Sequence, residues 1–123
     1  MELEYISLSQ AQEMIELLAC QFDIPIPKVK IHRTIKNKGY AHYRNNTITI
    51  SLWTDRFKHI DTLLHEFSHL LSYKRHGKNG IGHGELFRTT LLEVVKIWYK
   101  DINLYEWSKE YRSINKWYDK KYR

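Results

Sequence analysis

Two histidines four residues apart with a glutamate beside the first, His65-Glu66-Phe67-Ser68-His69, are the residues of this chain best suited to chemistry. On a helix such positions project to one side about one turn apart, so two imidazoles can bind one metal ion. In metal hydrolases of this pattern the histidines hold zinc. The glutamate takes a proton from the water that the metal activates and returns it to the leaving group. A catalytic zinc needs three protein ligands and one open position. A third histidine stands in Gly80-Ile81-Gly82-His83-Gly84-Glu85-Leu86-Phe87, after a glycine-punctuated loop that lets the backbone fold back on the first two.

The elements around these residues can be read from periodicity. Ile60, Leu63, Leu64, Phe67, Leu70 and Leu71 fall on one stripe of a helix, and His65 and His69 fall nearly opposite. Thr54 or Asp55 can cap this helix, and Gly77 should stop it, leaving His76 as a solvated helix-end residue. Upstream, Ser7 and Gln10 predict a capped helix carrying Ala11, Ile15, Leu18, Ala19 and Phe22, with Cys20 expected as a small core residue. It ends before Asp23-Ile24-Pro25-Ile26-Pro27.

Three strands should follow: Lys28 to Thr34, Tyr40 to Arg44 and Thr47 to Leu52. Asn37-Lys38-Gly39 and Asn45-Asn46 supply the turns. His32 and His42 lie on these strands without ligand spacing and read as ordinary surface residues. Beyond Gly84 a helix places Phe87, Leu91, Val94, Val95 and Trp98 on one face, to pack beside the histidine helix. From Asn103, a second capping box precedes Trp107, Tyr111, Ile114, Tyr118 and Tyr122 at helical spacing. Residues 104–123 therefore read as an amphipathic C-terminal helix, its aromatic stripe docked and its basic face solvated.

The fold class expected is α+β: an N-terminal helix packed on a roughly three-stranded antiparallel sheet, then the histidine helix and C-terminal helices. With 123 residues and no internal repeat, one domain over 1–123 is the expectation, with Lys100 to Asn103 as the only candidate boundary. The acidic start, without a signal-like apolar run, predicts a soluble cytoplasmic protein without membrane contact. The single cysteine excludes an intrachain disulfide and a cysteine-rich zinc ribbon, so a bound metal would rely on histidine. A net charge of +6 permits contact with DNA without requiring it.

These residues together resemble the SprT-like zinc metallopeptidases, which include bacterial SprT proteins and the Spartan proteases that digest DNA-crosslinked proteins. The resemblance rests on Thr47-Ile48-Thr49-Ile50-Ser51, the lead-in Asp61-Thr62-Leu63-Leu64, the His65-Glu66-Phe67-Ser68-His69 core, and His83-Gly84-Glu85-Leu86-Phe87, similar to a His-Gly-x-x-aromatic signature. It implies one catalytic Zn2+ held by His65, His69 and His83, Glu66 as general base and acid, and a small zincin-like domain of minimal gluzincin type. It implies action on protein or peptide substrates, DNA-associated ones included, and a monomer is expected. A glutamate as third ligand, Glu85 or Glu93, stays open beside His83. The recruitment segments common in the family have no counterpart in this sequence.

Tyr43, Tyr73 and His76 are candidate donors to a developing oxyanion, unranked by sequence. Manganese, cobalt or nickel could also occupy such a site. Two rival readings use the same residues differently: a DNA-binding module with a non-catalytic metal site, and a regulatory protease specific for one partner.

Overall fold

A computed structural model describes residues 6–32, 39–51, 56–99 and 109–122, with the side chains of 56–58 and 109–111 outside the description. The Thr54 and Asp55 caps, the Asn37-Lys38 turn, Arg33, Thr34, Leu52, the Lys100 to Asn103 boundary, Trp107 and the Tyr111 side chain lie outside it too.

Helix α1 spans Leu8–Phe22 and begins at the expected capping box: Ser7 Oγ accepts from the Gln10 amide, and Gln10 Oε1 accepts from the Ser7 amide, each at 3.0 Å. It ends at Asp23, whose φ of 54° is left-handed. Gln12 then ties it to the sheet, donating to the Pro27 carbonyl and accepting from the Val29 amide at 2.9 Å each. Cys20 corrects the sequence reading, because it is exposed. It lies one position past Ala19, and the helix turns it off the buried stripe of Ala11, Ile15, Leu18 and Ala19.

The sheet has three strands, β1 Lys28–His32, β2 Gly39–His42 and β3 Thr47–Ser51, in the order β1-β3-β2. It is mixed rather than antiparallel: β1 runs parallel to β3, while β2 pairs antiparallel with β3. Alternation predicts which side chains share a face but says nothing of neighbour order or direction. The strand richest in β-branched residues takes the centre, where both edges are paired. Register brings Val29 and Ala41 beside Ile48, and Ile31 and Gly39 beside Ile50, making one face for the helices. Thr47, Thr49 and Ser51 on the other face are also buried, flanked by longer neighbours such as Lys30, Tyr40 and His42. Asn46, at φ 49°, makes the reversal from β2 into β3.

Helix α2, Arg56–His76, crosses the middle of the molecule, and its stripe of Leu63, Leu64, Phe67, Leu70 and Leu71 is buried. A 3₁₀ turn at Gly77–Gly80 leads to helix α3, Glu85–Trp98, and the last described helix is α4, Lys109–Tyr122. α3 packs beside α2 through Phe87, Leu91, Val94 and Val95. α4 rests on both, with Ile114 buried and Trp117 and Tyr118 packed against the core. Tyr99 closes the bundle by donating a buried 2.8 Å hydrogen bond to Asp61 near the start of α2. No described helix is long and apolar enough to cross a membrane.

Candidate metal centre

Burial of the apolar stripe of α2 fixes the rotation of the helix and turns His65 and His69 toward α3. The loop after the 3₁₀ turn must bring His83 to meet them, and Gly80 makes this approach possible. A Cβ at Gly80 would fall on the backbone carbonyl of Ser72, and the Ser72 hydroxyl donates to the Gly80 carbonyl at 3.0 Å. The loop is thereby pressed onto α2 two turns beyond His65.

The three Nε2 atoms converge. His65 to His69 and His65 to His83 are 3.2 Å apart, and His69 to His83 is 3.1 Å. Each neutral imidazole nitrogen either donates or accepts, so among three in mutual contact two must play the same role. Protons alone therefore cannot satisfy the triangle, whereas a cation facing three lone pairs can. A tetrahedral ion about 2.0–2.1 Å from each nitrogen would hold them roughly 3.3–3.4 Å apart, close to the observed spacing. Among the described residues these three form the one group of histidine, cysteine or acidic side chains able to hold a metal ion.

Phe87 forms the platform beneath them. The His69 ring stacks on it at 4.1 Å and 17°, and His65 and His83 each meet it at 5.1 Å. His69 Nδ1 is buried with no hydrogen-bond partner among the described residues, so this stacking is what aligns its ring. Burial, then repulsion from His65 and His83, lowers the His69 pKa to about 3. The imidazole stays neutral and its lone pair remains available.

Glu66 is buried, 5% exposed, on the same helix turn. Outer strand β2 comes directly against it at Gly39, where a Cβ would sit 2.8 Å from Glu66 Cγ and 2.6 Å from Thr62 Cγ2. The expected turn residue is thus a strand residue, with no side chain because α2 lies too close. Just beyond β2, burial and the Glu66 charge raise the pKa of Tyr43, whose ring packs on Tyr73 at 4.8 Å. Tyr43, one of the three candidate donors, thus feels the Glu66 charge. His76 is exposed at the end of α2.

Neither glutamate alternative joins the histidines. Glu85 accepts from the Tyr122 hydroxyl and pairs with Lys121 Nζ at 3.2 Å, contacts that lower its pKa. Glu93 forms a two-point pair with Arg75, at 2.6 and 3.1 Å, joining α3 to the end of α2. His32 and His42 stay on the sheet, exposed, with His42 Nε2 3.2 Å from Thr49 Oγ1. Sequence reasoning missed Gly39, for which no local signal existed, and the approach of α4. The aromatic spacing of α4 revealed a docked helix but not where it docks.

The chain matches the SprT-like family over residues 11–113. No curated protein and no solved structure matches it. The matched segment begins in α1, takes in the whole sheet and the three histidines, and reaches into α4. The chain therefore belongs to the SprT-like family.

Proposed function

We propose that the protein is a zinc-dependent metalloendopeptidase in which His65, His69 and His83 hold one zinc ion and Glu66 moves the proton. The observation that carries this reading is the convergence of three Nε2 atoms within 3.2 Å beside a buried glutamate. Membership in the SprT-like family, which suggests a zincin-like protease domain, supports it.

A zinc ion held there supplies Lewis acidity and an acidified water. The chain's own residues do the rest. Glu66 takes the proton on a carboxylate oxygen and delivers it to the departing amine, so no covalent intermediate is required. Burial, with Gly39 of β2 close against the side chain, restricts where that carboxylate can go. The Tyr43 hydroxyl, kept protonated by its surroundings, can donate to the oxygen on which negative charge develops.

Among the described residues β2 pairs on one edge only, with β3, and that strand lies against Glu66. An extended peptide can align along its other edge through backbone hydrogen bonds. Such recognition reads little of the sequence, so unfolded or flexible protein regions are the expected substrates. Zinc-loaded protein should cut an unstructured protein, lose that activity to a chelator and regain it with zinc. A folded protein of similar size should stay intact. Failure to cut unstructured substrates at full zinc occupancy would contradict the proposal.

A further inference from the structure

Beside the histidine cluster, between α3 and α4, lies a cavity of about 390 Å³. That volume falls within the ~300–1,000 Å³ range of ligand-binding pockets. His65 and His83 form one wall, so the cavity opens directly onto the place where a scissile bond would sit. Its inner lining is apolar, from the buried Phe87, Leu91 and Ile114. Its rim is Arg88, Ser113 and the half-buried Trp117.

We propose that this cavity is a subsite for one bulky, uncharged apolar side chain of the peptide held at the histidines. This inference rests on the peptidase reading above. The apolar lining rewards removal of a large side chain from water and gains little from a small one. The rim disfavours cations: the Arg88 guanidinium lies 5.4 Å over the Trp117 ring. This positive group at the mouth opposes entry of a lysine or arginine side chain.

The wall contributed by α4 is held at two points. Ile114 is buried against the core, and the last turn is tied to α3 through Glu85, which accepts from Tyr122 and pairs with Lys121. The basic aromatic helix is therefore part of the proposed subsite, and the Glu85 contacts help to hold it against α3.

The test uses zinc-loaded Glu66→Gln protein, which keeps the three histidines, titrated calorimetrically with end-blocked peptides that differ only in a central Leu, Ala or Lys. The Leu peptide should bind about tenfold tighter than the Ala peptide. The Lys peptide should bind most weakly. Adding Ser113→Trp, which fills the mouth, should collapse the Leu over Ala margin while zinc content stays the same, and Trp117→Ala should reduce it. Equal affinities, no measurable binding, or a margin that survives both variants would overturn the subsite. Selective binding with no cleavage by wild type would keep the subsite and remove the peptidase reading. Cleavage without side-chain discrimination would do the reverse.

Discussion

Phe87 touches all three imidazoles, and its stacking on His69 takes the place of the hydrogen bond that usually orients a metal-binding histidine. Phe87→Leu keeps an apolar residue there but removes the flat platform. Its zinc affinity should fall about tenfold, read by competition with a chromogenic chelator, while the fold persists. Tyr43 is a candidate donor whose pKa is raised by burial and the Glu66 charge. Tyr43→Phe should lower kcat at least about tenfold with zinc content unchanged, and an unaltered kcat would remove the hydroxyl from the reaction. The relation of His65, Glu66 and His69 was legible in the sequence because helix geometry alone sets it, and His83 was marked only by its place after a glycine-punctuated loop. The roles of Gly39 and Tyr43 were not legible, because both depend on which strand of the sheet meets α2.

At the scale of elements, the delivery of His83 depends on the close contact between Gly80 and the backbone of Ser72. A rotamer change cannot relieve a Cβ placed against a carbonyl. Gly80→Ala should cost about 1–3 kcal/mol in denaturant unfolding. It should also weaken zinc binding, since the loop lifts the third histidine away from the other two. A glycine-rich loop announced that a turn would occur, but not that its backbone would press on the helix. The sheet shows the same limit. The alternating residues of β1 and β3 revealed the buried face, yet β3 enters between β1 and β2 and makes a mixed sheet. Neighbour order is a long-range property that periodicity does not encode. Cys20 marks the opposite failure, where one helical position decides between core and solvent.

At the scale of the molecule, a buried neutral histidine couples folding to acidity. Folded His69 titrates near 3 and an unfolded histidine near 6.5. Between those values the unfolded chain binds the proton that the folded chain refuses. The stabilising difference is fully present above about pH 6.5 and is lost as pH falls toward 3. Metal-free protein should therefore unfold at lower denaturant at pH 5 than at pH 7. His69→Asn should show a smaller difference between the two pH values; an equal difference would mean that His69 is not the coupling group.

The central claim is that three histidines hold a metal for chemistry that Glu66 performs, and metal content read beside cleavage tests it most directly. Wild type should carry about one zinc per chain and cut an unstructured protein. His83→Ala should lose both the metal and the activity. Glu66→Gln should keep the zinc and lose cleavage by roughly a hundredfold or more. If Glu66→Gln cuts as well as wild type, or if His83→Ala retains both zinc and activity, the account of this site is wrong.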